Sequence, residues 1–152
     1  MKGIKVMLVD DEEQFVHTLA ERMSMRDAGT KVALNGEEAL QLVANGEVPD
    51  VMVLDLRMPG IDGLEVLRRV KKDYPKVQVI VLTGHGNEKD QEEALRLGAF
   101  EYHKKPVDLD VLVKDIRRAF RERMEDAMVA AALAQGGDFD GAQQVIHESD
   151  EN

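Results

Sequence analysis

Short apolar runs alternate five times with longer segments of helical period along this chain. The runs are rich in valine, leucine and isoleucine, whereas the intervening segments repeat apolar residues three and four positions apart. The predicted strands are Ile4–Val9, Thr30–Leu34, Val51–Asp55, Val77–Leu82 and Ala99–His103. Parallel strands joined by helical crossovers form a doubly wound sheet with helices on both faces. The alternation therefore predicts an α/β fold with five parallel strands.

The last helix is predicted to be much longer than the others. Its apolar residues recur at helical spacing from Leu109 to Ala134, and Gly136 and Gly137 then interrupt the pattern. At about 1.5 Å per residue such a helix would reach roughly 40 Å, which exceeds what five short strands can cover. We therefore expect the part after Phe120 to project or to pack on another surface. Its apolar stripe predicts self-association.

Composition narrows the class of protein. A length of 152 residues suits one domain with an ordinary core, and the absence of cysteine excludes a disulfide framework or a thiolate site. The formal net charge of −10 argues against binding nucleic acid through phosphate contacts. No apolar stretch is long enough to span a bilayer, and the first apolar run ends at Asp10 without a signal cleavage site. We expect a cytoplasmic protein that binds neither nucleic acid nor membrane.

Carboxylates stand at the ends of two predicted strands. Asp10 and Asp11 follow the first strand, and Asp55 ends the third. Ligands of open α/β sheets bind outside the carboxyl ends of the strands, so these acids are expected to converge. Mg²⁺ takes oxygen ligands and is typically held by one or two carboxylates plus a substrate phosphate. Helix capping is the simpler alternative, but uncompensated like charges destabilise one another, which favours a metal site.

Two further strand ends supply a hydroxyl group and a cation. Thr83 follows the fourth strand and Lys105 follows the fifth. A carboxylate can accept a phosphoryl group, and the charge on the transferred oxygens then needs a metal ion, a cation and hydrogen-bond donors. Asp55 is therefore the predicted acceptor, with Lys105 as the cation and Thr83 as a donor. Either of the last two taken alone would be interpreted as an ordinary surface or strand-end residue, but Pro106 constrains the turn that carries Lys105.

These residues, in this order and spacing, resemble the receiver domains of bacterial two-component response regulators. The matching segments are Val9–Asp11, Asp55–Gly63, Leu82–Gly84, Gly98–Ala99, Tyr102 and Lys105–Pro106. The resemblance covers residues 3–122 and implies a flavodoxin-like sheet in the order 2-1-3-4-5. It also implies a receiver domain over residues 1–122. The helix extension and acidic tail over residues 123–152 lie outside the family's basic pattern, and we expect no separate output domain there.

The resemblance implies how the site would work. Asp55 would accept a phosphoryl group from a histidine kinase or a phosphotransfer protein. Asp11, Asp55 and the backbone carbonyl of Arg57 would bind Mg²⁺ directly, and Asp10 would assist through water. Lys105 would pair with the phosphoryl oxygens.

The resemblance also implies how the signal would leave the site. Thr83 would move toward the phosphoryl group, and Tyr102 would change rotamer with it. The surface of the last strand and last two helices would then favour a downstream protein partner, as a shift between two existing arrangements.

Three functions are compatible with this set of residues. The favoured one is a phosphorylation switch that acts through protein contacts and catalyses only its own phosphorylation and dephosphorylation. A Mg²⁺-dependent phosphohydrolase with Asp55 as nucleophile would need a substrate pocket and a second acid–base residue, and the sequence identifies neither. A dimerisation or scaffold module would depend on the long helix, and the complete set of site residues argues against it.

Overall fold

The computed structural model describes residues 1–135, which form one parallel sheet and the helices that cover it. The strands are β1 (Lys5–Val9), β2 (Gly29–Ala33), β3 (Val51–Leu54), β4 (Gln78–Thr83) and β5 (Glu101–Lys104). The helices are α1 (Glu13–Ser24), α2 (Gly36–Ala44), α3 (Gly63–Asp73), α4 (Glu88–Arg96) and α5 (Leu109–Ala134). The strand order is β2-β1-β3-β4-β5, and every neighbouring pair is parallel. The predicted α/β class and strand order are confirmed.

The core occupies both faces of the sheet, because successive side chains of a strand point to opposite sides. One face packs against α2, α3 and α4, and the other packs against α1 and α5. All four residues of β3 are buried. Such a strand carries a continuous apolar run instead of an alternating pattern, as expected for a sheet covered on both sides.

Several element boundaries differ from the prediction by one or two residues. Strand β5 begins at Glu101 and not at Ala99, because the Ala99 N–H donates to the carbonyl of Ala94 and closes helix α4. Helix α1 begins at Glu13, four residues after the end of β1, because the Asp10 carboxylate accepts the Glu12 N–H and forms a turn first. An apolar pattern does not distinguish these capping residues from the elements beside them.

Residues with a known preference for helix termini lie at the ends of three helices. The Asp62 carboxylate accepts the Leu64 N–H at 3.1 Å and caps α3. Gly98 follows α4 with φ +104, a backbone conformation that favours glycine. The Asp110 N–H donates to the Asp108 carboxylate at 3.2 Å at the start of α5.

Helix α5 has the predicted length. Its buried residues are Leu112, Val113, Asp115, Ile116 and Ala119. The fold divides after Phe120, so Met1–Phe120 form one unit and Arg121 begins a second. Every described residue from Arg121 to Gln135 is exposed or partly exposed. Among residues 1–135, no helix combines the length and apolar composition that crossing a bilayer requires.

Candidate functional site

Three carboxylates meet at the carboxyl ends of two neighbouring strands. Val9 of β1 lies opposite Leu54 of β3, so the residues that follow these strands are side by side. One carboxylate oxygen from each of Asp10, Asp11 and Asp55 lies within 4.8 Å of the others. Asp10 and Asp55 are buried, whereas Asp11 is exposed. The structure thus brings together the three acids that the sequence proposes for a metal site.

The three acids fit a small divalent cation in chemistry and in spacing. Mg²⁺ binds oxygen atoms at about 2.1 Å in an octahedron, which sets neighbouring and opposite ligands roughly 3 to 4 Å apart. A separation of at most 4.8 Å needs only small side-chain rotations to reach that range. The Arg57 N–H donates to Asp55 Oδ1 at 3.2 Å and holds the loop after β3 against this acid.

Lys105 supplies a positive charge beside the acids. Its backbone N–H donates to the Thr83 carbonyl at 2.9 Å, and the peptide bond to Pro106 is cis. The ammonium Nζ lies 2.6 Å from Asp10 Oδ2 and 3.6 Å from Asp55 Oδ2. The side chain of Lys105 is only 12% exposed, so the cation is held in a largely desolvated position next to the two buried carboxylates.

The charges of this cluster are only partly balanced. Burial raises the pKa of Asp10 and the Asp55 charge adds to the rise, while hydrogen bonds from Lys105 and the Glu12 N–H oppose it. Burial would lower the pKa of Lys105, but the hydrogen bond to Asp10 and the nearby carboxylates outweigh it, so that pKa is raised. The pKa of Asp10 is thus higher in the folded protein than its unfolded value of 3.8. Ionisation of Asp10 is less favourable in the folded state, so the free energy of unfolding falls as the pH rises from 3.8 through the folded-state pKa. Ionised Asp10 therefore favours binding of a further cation.

Thr83 and Tyr102 meet under the loop that follows β4. Thr83 is fully buried, and its Oγ1 accepts the His85 N–H at 3.5 Å. Tyr102 is 7% exposed, and its hydroxyl has no hydrogen-bond partner within residues 1–135. A Cβ built on Gly86 would lie 1.6 Å from the Tyr102 hydroxyl and 2.9 Å from Thr83 Cγ2. The tyrosine ring therefore occupies its inward position only because residue 86 is glycine.

We predict that Gly86→Ala displaces the Tyr102 ring toward solvent. Burial raises the pKa of the Tyr102 phenol, and the Asp90 charge adds to the rise while Arg57 opposes it. Loss of burial should move this pKa down toward its ordinary value of 10.0. Spectrophotometric titration of the phenolate in a Tyr74→Phe background measures Tyr102 alone, since the chain contains two tyrosines.

Gly84→Ala is the matched control for this change. A Cβ there would meet only the flexible Lys105 side chain, at 3.8 Å. Its Tyr102 titration should match that of the protein with glycine at both positions. If Gly86→Ala titrates at the same pH as this control, the ring does not depend on Gly86.

Arg57 links the loop after β3 to helix α4. Its guanidinium lies 2.9 Å from the Asp90 carboxylate. Asp90 also forms a reciprocal capping box with Asn87 at the start of that helix. This ion pair was not predicted from the sequence, because the two residues are 33 positions apart and no local pattern relates them.

The chain matches a known family over the part that carries the site. Residues 6–117 match the family model for the response regulator receiver domain. The chain belongs to this family. Because residues 6–117 include Asp10, Asp11, Asp55 and Lys105, the carboxylate cluster and its lysine lie inside the family's own domain.

Relatives of this receiver are response regulators. It is 35% identical over 141 residues to the C4-dicarboxylate transport transcriptional regulatory protein DctD of Pseudomonas aeruginosa. The aligned region covers 90% of this chain and 30% of DctD. It is 35% identical over 124 residues to the DNA-binding transcriptional regulator NtrC of Escherichia coli, covering 82% of this chain and 26% of NtrC. The receiver thus spans less than a third of the length of these two relatives.

Solved structures agree on the fold. NtrX from Brucella abortus in complex with ADP superposes with a TM-score of 0.80 at 28% identity, covering 91% of this chain and 30% of that one. A CheY-like receiver domain protein from Methanospirillum hungatei superposes with a TM-score of 0.78, covering 81% of this chain and 98% of that one. The second pair is 22% identical and is compared for fold alone.

Proposed function

We propose that this receiver is a phosphorylation-activated switch in which Asp55 accepts a phosphoryl group with the help of Mg²⁺. One observation carries the proposal. A buried acid, two further carboxylates and a desolvated ammonium group lie at the same edge of the sheet. The proposed donor is a histidine kinase or a phosphotransfer protein, and the proposed target is another protein.

Each residue of the site has a proposed part in the transfer. Asp11, Asp55 and the Arg57 backbone carbonyl would hold Mg²⁺ with help from Asp10, and the bound ion would offset the negative charge of the acids and the phosphoryl group. An Asp55 oxygen forms a bond to phosphorus as the bond from phosphorus to the donor imidazole nitrogen breaks. The donor imidazole leaves with the electron pair. The Lys105 ammonium neutralises charge on the transferred oxygens.

The output is proposed to pass through Thr83 and Tyr102. The Thr83 hydroxyl would donate to a phosphoryl oxygen on Asp55. To do so, the Thr83 side chain would move away from its present contact with the His85 N–H. The Tyr102 ring packs against the same loop, and its buried hydroxyl makes no compensating hydrogen bond in the described residues. We propose that the ring has a second position closer to solvent, and that contacts to the phosphoryl group would favour one of the two.

Intact mass after incubation with acetyl phosphate and Mg²⁺ tests the proposed chemistry. We expect the mass of one added phosphoryl group, absent without Mg²⁺ and absent in Asp55→Asn. Asp50→Asn, an acid at the opposite end of β3, should be labelled normally. Labelling of Asp55→Asn to the same extent would contradict the assignment of Asp55. If no form is labelled, binding of a beryllofluoride phosphoryl mimic separates a short-lived adduct from an inactive site, and absence of binding would favour a scaffold role.

We also propose that the receiver domain comprises residues 1–122 and that residues 123–152 are an extension of it. The part of α5 that follows residue 122 is proposed to pair with the same part of a second copy of this protein. Met124 and Met128 are 43% and 72% exposed, and no lysine or arginine follows Arg123. Apolar residues repeated along one helix favour pairing with another helix.

Sedimentation over a range of concentrations measures this association. We expect the average mass to rise with concentration and the rise to be lost in a Met124→Glu, Met128→Glu double variant. Lys114→Glu, a change in charge on the earlier part of α5, serves as the control. A monomer mass at every concentration would exclude self-association of this protein.

A further inference from the structure

We propose that Phe15 is a positioning residue for Lys105, holding the ammonium group at the site through the face of its aromatic ring. The Lys105 Nζ lies 4.4 Å from the centroid of the Phe15 ring. This distance is within the range of favourable cation–π contacts, which extends to about 6 Å. The proposal rests on the proposed function, because it concerns the lysine assigned to the transferred phosphoryl group.

Phe15 lies beside the carboxylate cluster. It lies in the first turn of α1, directly after the turn that carries Asp10 and Asp11. Its ring is half-buried and lines a small cavity together with Asp10, Asp55 and Leu82. The ring therefore borders the carboxylate cluster on the side of α1, where its face lies beside the Lys105 ammonium group.

The ring differs in chemistry from the other partners of the ammonium group. Within residues 1–135 those partners are the carboxylates of Asp10, Glu12 and Asp55, at 2.6, 3.3 and 3.6 Å. Asp10 and Asp55 also belong to the acid cluster that fits a divalent cation, so their charge would be shared with that ion. An aromatic face attracts a cation through its quadrupole and accepts no strong N–H hydrogen bond. Phe15 can thus hold Lys105 in place and leave its N–H donors for phosphoryl oxygens.

Simple packing is the alternative explanation for Phe15, and a set of variants distinguishes the two. Phe15→Leu keeps an apolar side chain but removes the ring face. Phe15→Tyr and Phe15→Trp keep a ring face. Progressive fluorination of the ring, by site-specific incorporation of fluorinated phenylalanines at position 15, weakens the quadrupole with little change in size.

The first measurement is the initial rate of phosphorylation by acetyl phosphate at a fixed Mg²⁺ concentration. A small donor removes any contribution from docking of a kinase. We expect Phe15→Leu to be slower by roughly two- to fivefold, the range expected for a partly exposed cation–π contact. Phe15→Tyr and Phe15→Trp should retain the original rate, and the rate should fall stepwise with the number of fluorine atoms. Equal thermal stability of the variants would show that the differences do not reflect unfolding.

The second measurement needs neither Mg²⁺ nor a phosphodonor. Protons above an aromatic face are shifted upfield by the ring current, so the Lys105 ε-CH₂ resonance should lie upfield of the other lysines. Its assignment follows from its disappearance in Lys105→Arg. The shift should persist in Phe15→Tyr and vanish in Phe15→Leu.

The two measurements separate the inference from the proposed function. Absence of both labelling and beryllofluoride binding in every form, with the upfield shift present, would refute the phosphorylation chemistry and still support the contact between ring and ammonium. Equal labelling rates for Phe15→Leu and the unsubstituted protein would overturn the positioning role. An equal loss of rate in Phe15→Tyr and Phe15→Leu would also overturn it, because the ring face would then be irrelevant.

Discussion

Replacing Asp11 with alanine is expected to reduce the affinity of the receiver for Mg²⁺ by more than about 100-fold and to abolish phosphorylation of Asp55 at millimolar Mg²⁺. Loss of a residue that only supports a metal ligand typically costs 10- to 100-fold, and Asp11 is proposed as a ligand itself. Asp11 is exposed, so its removal leaves the core intact. The remaining acids, Asp10 and Asp55, already share the Lys105 ammonium.

Calorimetric titration with Mg²⁺ measures this affinity directly, and thermal unfolding gives a second readout. A ligand that binds only the folded state raises the melting temperature, so Mg²⁺ should stabilise the original protein and leave Asp11→Ala unchanged. Glu13→Ala is the matched control, since it removes an exposed acid from the first turn of α1 that lies outside the cluster. Equal Mg²⁺ affinities for these two variants would contradict the assignment of the cluster as a metal site.

Replacing Gly63 with alanine is expected to lower the free energy of unfolding by about 2–3 kcal/mol. A Cβ at this position would lie 2.4 Å from Leu56 Cα and 2.6 Å from the Asp55 carbonyl oxygen. Both atoms belong to the backbone, so relief requires displacement of the chain and not rotation of a side chain. The gain in helix propensity from alanine, about 1 kcal/mol, is smaller than this cost.

Thermal or denaturant unfolding measures the change, and the melting temperature should fall by roughly 10 °C. Gly29→Ala is the control, because a Cβ there would meet only the Ile4 carbonyl at 3.9 Å. The clash at residue 63 falls on the segment that carries Asp55, so slower labelling by acetyl phosphate should accompany the lost stability. Equal stability of the two alanine variants would show that the loop after β3 accommodates a side chain.

Local patterns were sufficient for much of the fold. The apolar runs that became β1, β3 and β4 are bounded by polar residues and turns, and these signals lie within a few positions of each strand. The parallel sheet follows from the alternation with helices. The order of the strands came from the resemblance to receiver domains, since periodicity alone does not state which strands are neighbours.

The acids of the site could be proposed from sequence because strand direction is a local property. Asp10, Asp11 and Asp55 each follow a strand, and parallel strands end at the same edge of a sheet. The contacts around them were not visible in the same way. Phe15 lies 90 positions before Lys105, and nothing in its neighbourhood distinguishes it from an ordinary core residue of an amphipathic helix.

The sequence by itself determined the class of fold, the long last helix and the set of polar residues at the strand ends, because periodicity, caps and strand direction depend on residues close together in the chain. Only the tertiary structure decided which groups touch. The ring of Phe15 lies beside Lys105, and Gly86 leaves space for Tyr102, although both pairs are well separated in sequence. Gly63 lies closer in sequence to the backbone that it meets, but only the fold of the loop after β3 brings them together. Such contacts depend on how helices and loops pack on the sheet, which no local pattern specifies.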